Sequence, residues 1–221
     1  MTDEGDCAAP GPLPAAFAEL YAEAGALRHV AFGAIRRAET PGPGELAATS
    51  GLDVVEVEEL LGRMGEAGLV RRDRRGAVVG IAGLSVEPTA HRLVLIGAPS
   101  LFTWCALDAI GIPAALGLDA EVVTRCWHCG RPIELFLPEG ETPDNLSFRL
   151  WLPPAACSNV FEQFCSEANL FCDADHLAAW RAAKGDPAGQ ELDLASVGRI
   201  GRASWAEFAD AASHLGPRTD L

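Results

Sequence analysis

With 221 residues, 49% of them hydrophobic and only 22% charged, the chain can bury a sizeable core in one large domain or two small ones, and it does not have the composition of a disordered protein. Its 17 basic and 31 acidic side chains leave a formal charge of -14, which repels nucleic-acid phosphates and anionic membrane surfaces over the molecule as a whole. No apolar run reaches the roughly 18 residues of a membrane span, and the acidic start Met1-Thr2-Asp3-Glu4-Gly5-Asp6 is unlike a signal peptide, so a soluble cytoplasmic protein is expected. Seven cysteines in such a chain favour metal or thiol chemistry over a disulfide framework.

Residues 1–14 hold glycine and three prolines without periodicity and read as a flexible arm. A helix is expected from about Pro14, with Phe17, Leu20, Tyr21 and Ala24 on one face. After the break at Pro41-Gly42-Pro43-Gly44, a short helix over 45–52 leads to Asp53, a cap for a helix presenting Val54, Val57, Leu60, Leu61 and Met64. A small hairpin over 69–72 and 77–81 follows. Helix, turn, helix and hairpin is the order of a winged-helix module. As a DNA reader it is poor: Glu56, Glu58, Glu59 and Glu66 crowd the candidate recognition helix, where Arg63 is the only cation, so a structural use is favoured over a wing of Arg71, Arg72, Arg74 and Arg75 on DNA.

From His91 the texture changes to short apolar runs. Strands are expected at 93–96, 121–124, 133–137 and 148–152, the last two as a meander with turns at Pro138-Glu139-Gly140 and Pro143-Asp144-Asn145. Helices are expected over 177–183 and from a Ser204 cap through Leu215. Between the first two strands lies Phe102-Thr103-Trp104-Cys105-Ala106-Leu107-Asp108. If Ser100 caps a helix running to about Ile110, before Gly111 and Pro113, then Cys105 and Asp108 share a face one turn apart, and the carboxylate can take the thiol proton and return it. Against this stands the ordinary reading, a core thiol and a solvated carboxylate. A further thiol waits in Phe164-Cys165.

Thr103-Trp104-Cys105-Ala106-Leu107-Asp108, then Pro113, Leu116-Gly117, Cys126, Gly130-Arg131-Pro132-Ile133 and Phe164-Cys165, resembles in content and order the organomercurial (alkylmercury) lyases, over roughly residues 93–210. The resemblance implies an α+β fold. A winged-helix-like scaffold at 15–90, which does not read DNA, would pack on a catalytic domain at 91–221 made of antiparallel sheet with flanking helices. It further implies that Cys105 and Cys165 bind mercury and that Asp108 carries the proton. Cys126 falls where the family has a cysteine of structural use. Ser166 stands where relatives can carry a second adjacent cysteine, and Cys129, Cys157 and Cys172 are additions to the pattern.

The chemistry suits these residues. Mercury is a soft cation, thiolate is the softest protein ligand, and loading the metal with two thiolates makes its bonded carbon protonatable. Asp108, set among Phe102, Trp104 and Leu107, would supply the proton, burial favouring its acid form. The implied products are a hydrocarbon and thiol-bound Hg(II), with no organic cofactor, and the acceptor of the metal would be small thiols or a mercuric reductase. Nucleic acid and membrane are not expected partners.

Two rival classes remain. Cys126-Trp127-His128-Cys129 has the gap of a zinc knuckle, which Cys157, Cys165 or Cys172 would close. A metal-responsive regulator would use the winged helix on DNA and the cysteines as sensors, against the charge of the chain. His91, His128 and His176 read as surface or satisfied core groups, and Trp104, Trp151, Trp180 and Trp205 as core, with Trp104 a wall of any pocket at Cys105.

Overall fold

The computed structural model describes residues 15–143 and 145–212. The arm expected at 1–14, with Cys7, the Asp144 turn and the Leu215 end of the last helix lie outside them.

Helices α1 (Ala15–Glu23) and α2 (Gly25–Arg36) open the chain, and α2 buries Leu27, Ala31, Phe32 and Ile35. Then α3 (Pro43–Ser50) starts where Glu45 accepts the Gly42 amide hydrogen at 2.8 Å, and it ends at Gly51 in the left-handed region. Asp53 caps α4 (Val54–Glu66) as expected, accepting from the amides of Val55 and Glu56, and the helix buries Val57, Leu60, Leu61 and Met64. Val54 is exposed instead of joining that stripe, because it occupies the first turn beyond the reach of the core.

Strands β1 (Val70–Arg72) and β2 (Val78–Ile81) form the expected hairpin, and β3 (Leu84–Ser85) turns back on β2 through Ala82 and Gly83, both at positive φ. Next come β4 (His91–Leu95), β5 (Ser100–Thr103), the helix α5 (Ala106–Leu116), β6 (Ala120–Arg125) and β7 (Pro132–Leu137). Seven strands make one antiparallel sheet in the order β1-β2-β3-β5-β4-β6-β7, so the hairpin continues directly into the later strands through the Leu84 to Thr103 pairing.

The expected meander is not present. Strand β8 (Arg149–Leu152) leaves β7 and becomes the centre of a second, three-stranded sheet between β9 (Asn169–Phe171) and β10 (Gln190–Asp193). Strand β7 alternates strictly, with Ile133, Leu135 and Leu137 inward and Phe136 out, as a strand with one solvated face does, whereas Leu150, Trp151 and Leu152 are all buried. The chain closes with α6 (Ala174–Ala183), α7 (Leu194–Ser204) and α8 (Ala206–Ala212). Ser204 is thus the last residue of α7, not the cap of a single final helix; Asp193 caps α7 by accepting from the Ser196 amide.

Helix α5 is the hub, apolar around its circumference and buried along nearly its whole length between the large sheet, the small sheet, α7 and α8. Gly111 does not stop it. A Cβ there would come within 2.6 Å of the Trp205 ring and 2.8 Å of the Gly201 backbone, so the glycine is what lets α5 and α7 cross at contact distance. No described helix is long and apolar enough to cross a membrane.

Candidate active site

Ser100 does not cap a helix; the 100–103 segment pairs with β4 as a strand, its Leu101 and Thr103 facing inward. The strand ends at Thr103, and two residues on Cys105 is itself the N-cap of α5, in extended backbone with φ of -147°. Its thiol accepts from the Asp108 amide, while the Asp108 carboxylate accepts from the Cys105 amide at 2.8 Å. This is the reciprocal arrangement of a capping box with a cysteine in the place of serine. The expected adjacency of Cys105 and Asp108 therefore holds, for a different reason: they are the cap and the third residue of a helix, not two positions on its face.

Cys165 arrives from the other side at the end of a single π-helical turn, Val160–Cys165. Two sets of bonds fix it. Asn159 caps the turn by accepting from the Glu162 amide at 2.9 Å and donates to the Glu66 carbonyl at the end of α4, while the Val160 amide donates to the Ala67 carbonyl. Downstream, the Ala106 amide at the start of α5 donates to the Ala168 carbonyl at 3.0 Å. Helix α4 and the start of α5 thus grip the two flanks of the turn that carries Cys165. As a result the Cys105 and Cys165 sulfurs and an Asp108 oxygen all lie within 4.8 Å of one another, on buried residues.

The electrostatics follow from that burial. Desolvation raises the Asp108 pKa from 3.8 to about 7, against the hydrogen bonds from the Cys105 side chain and from the amides of Cys105 and Trp104, which favour the carboxylate. Desolvation also pushes the Cys105 thiol up, aided by its neighbours Cys165 and Asp108. At Cys165 the hydrogen bond with Cys105 favours the thiolate, but burial and the charges of Asp108 and Cys157 outweigh it, and the pKa is raised. All three groups are set to hold protons until something better arrives.

A cavity of about 470 Å³ opens on this cluster. Asp108 and Cys165 line it, with Trp104, Leu107, Val160 and Phe164 among its apolar walls, and Cys105, fully buried, sits behind. Trp104 is thus the pocket wall expected of it. Tyr21 and Arg28 reach the cavity from α1 and α2; Arg28 is buried, lies 3.2 Å over the Tyr21 ring and pairs with Glu207 of α8. Beneath Asp108 is Gly83, where a Cβ would stand 2.5 Å from the carboxyl carbon.

Three contributors escaped the sequence. Cys157, noted only as an addition to the pattern, is a half-buried third thiol of the cavity. Tyr21 and Arg28 carry no local signal, since only tertiary packing brings them here. Of the other sequence candidates, Cys126, Cys129 and Cys172 gather elsewhere with His176, and none of the four lines the cavity.

Fold and site together describe a protein that can enclose a soft metal between two buried thiols, beside a carboxyl group able to carry a proton. A family model for alkylmercury lyases (MerB) matches residues 84–206, and the chain belongs to that family. The alkylmercury lyase of Bacillus cereus is 27% identical over 184 residues, covering 80% of this chain and 79% of that protein. That of Pseudomonas putida is 35% identical over 112 residues, 49% of this chain and 51% of the other. Among solved structures, the mercury-bound form of MerB2 superposes with a TM-score of 0.78 at 24% identity, covering 87% of this chain and 96% of that one, which establishes the shared fold.

Proposed function

We propose that this chain is an organomercurial lyase that splits the carbon–mercury bond by protonolysis, with Cys105 and Cys165 on mercury and Asp108 as the proton carrier. One observation carries the assignment of roles: two thiols and a carboxyl group stand within 4.8 Å of one another at the end of an apolar cavity.

The cavity walls suit an alkyl or aryl group, and the metal end of such a substrate meets Cys165 and Asp108 first. As a cysteine sulfur bonds to mercury it displaces the small thiolate or halide that the mercurial carries, which leaves to solvent, and the cysteine proton passes to Asp108, whose pKa of about 7 lets it accept and later give that proton near neutrality. The second thiol then loses its proton to solvent and joins the first. Two thiolates push electron density toward the carbon, the carbon–mercury bond breaks with its electron pair on carbon, and the Asp108 proton forms the new carbon–hydrogen bond. Hydrocarbon leaves, and Hg(II) stays on two sulfurs until a small thiol or a mercuric reductase takes it.

The N-terminal helices and hairpin act in this reading as a scaffold. Three of their arginines are already engaged: Arg72 with Glu58 at 2.8 Å, Arg71 with Glu87 at 3.2 Å and also 4.2 Å over the Phe161 ring, and Arg63 with Glu23. The exposed face of α4 is acidic, which disfavours a regulator bound to DNA. The decisive assay incubates the protein with phenylmercury or methylmercury and excess thiol. Benzene or methane should accumulate over many turnovers; stoichiometric mercury uptake without hydrocarbon would overturn the proposal.

A further inference from the structure

Among the described residues, the largest group of metal-ligating side chains outside the active site is Cys126, Cys129, Cys172 and His176, whose donor atoms all lie within 4.8 Å of one another. Two separate pieces of chain build it. The first is the turn between β6 and β7, Cys126-Trp127-His128-Cys129-Gly130, closed by the Gly130 amide donating to the Cys126 carbonyl at 2.8 Å with Gly130 at φ +73°. The second is the passage from β9 into α6: Cys172 just precedes the Asp173 cap, and His176 is held in the first turn by its amide donating to the Asp173 carboxylate. The Trp127 amide donates to the Leu170 carbonyl at 2.9 Å and brings the two pieces together.

The spacings match a tetrahedral ion. With metal–sulfur bonds of about 2.3 Å and metal–nitrogen bonds of about 2.05 Å, neighbouring ligands stand roughly 3.8 Å apart for two sulfurs and roughly 3.5 Å apart for sulfur and nitrogen. The Cys129 and Cys172 sulfurs are 3.9 Å apart, and Cys126 Sγ is 3.5 Å from His176 Nδ1. All the described cysteines are free thiols, so no disulfide accounts for the clustering. Three sulfurs and an imidazole in tetrahedral array favour zinc over the harder cations.

We infer that Cys126, Cys129, Cys172 and His176 form a structural zinc site that staples the β6–β7 turn to the start of α6, independently of the lyase reading.

On loading, the ion displaces the thiol protons to solvent. Four protein ligands close the coordination shell, leaving no open position for a substrate. The site completes the zinc-knuckle reading of the sequence with a different second half: Cys172 and His176 close it, while Cys157 and Cys165 belong to the cavity.

The experiment is metal analysis of the whole protein, purified with reductant and without chelator from zinc-supplemented cells. Wild type should hold about one equivalent of zinc, and Cys129→Ser and His176→Ala each less than roughly a tenth, while Cys105→Ala and Cys165→Ala retain it. Because Cys129 is exposed, its serine variant tests the ligand without opening the core. A second measurement on wild type alone stands beside it: protein stripped by chelator and given cobalt should develop the visible bands of a tetrahedral thiolate complex, and zinc should raise its melting temperature. Zinc-free wild type that neither binds added zinc nor gains stability would overturn the site. So would zinc lost in Cys105→Ala but kept in Cys129→Ser.

Discussion

The Asp108 carboxylate accepts the Cys105 amide hydrogen at 2.8 Å while the Cys105 sulfur accepts the Asp108 amide, so the acid and the thiol are the two halves of one helix cap. Chemistry and folding therefore use the same bonds, and a change at either residue is felt in both.

Removing either thiol separates the two. Cys105→Ala and Cys165→Ala should each reduce hydrocarbon release to background, since each supplies one sulfur to the same mercury. Cys105→Ala should in addition lower stability by about 1 kcal/mol through loss of the cap. Gas chromatography of the hydrocarbon and urea melts check the two effects, and full turnover by either variant would remove it from the site.

Asp108→Asn keeps the acceptor for the Cys105 amide but cannot carry a proton. Mercurial binding should persist while hydrocarbon release falls roughly 10²- to 10⁴-fold. Near wild-type release would mean the proton comes from elsewhere.

The same variant has an opposite signature in stability. Asp108 is raised from 3.8 to about 7 on folding, so the folded chain binds its proton more tightly than the unfolded one. The stability tied to that proton is fully present below about pH 4 and is lost as pH rises through about 7. Asparagine removes the buried charge. At about pH 8 it should raise the unfolding free energy by at most roughly 4 kcal/mol, and at about pH 4 it should change it little. Urea melts at the two pH values compare these; an equal effect at both would show that Asp108 is not charged inside the fold.

Gly83→Ala tests the floor of the site. Its Cβ would meet the Asp108 carboxyl carbon at 2.5 Å, whereas at Gly97, of nearly the same φ, nothing lies within 4 Å. Both substitutions carry the backbone cost of a positive φ, about 1 kcal/mol. Only Gly83→Ala should also cost about tenfold or more in turnover, by displacing the acid. Equal turnover in the two variants would refute this.

Much of the site was readable from the sequence because its signals are local. Cys105 and Asp108 are three residues apart, and a motif in fixed order carried Cys165 with them. What was misread turned on tertiary packing. Gly111 reads as a helix breaker until Gly201 is seen pressed against it, and Ser204 as a cap until it is seen to end α7, a helix that Asp193 caps. Strands β7 and β8 have similar apolar content, yet Ile133, Leu135 and Leu137 bury one face of β7 while Leu150, Trp151 and Leu152 bury both faces of β8, and which neighbours each strand pairs with is set by contacts distant in sequence. For His176 the signal was present, four residues before it, in Cys172.

The cavity draws its walls from far apart along the chain. Cys105, Asp108, Cys165 and Trp104 fall within the matched stretch 84–206, as do Leu107, Val160 and Phe164 of the apolar wall, whereas Tyr21, Arg28, Leu69 and Glu207 fall outside it. The thiols, the acid and most of the surface that meets an organic group are thus carried by one stretch of sequence. The N-terminal helices complete the same chamber, so a cut between them and the rest of the chain would open the cavity to water.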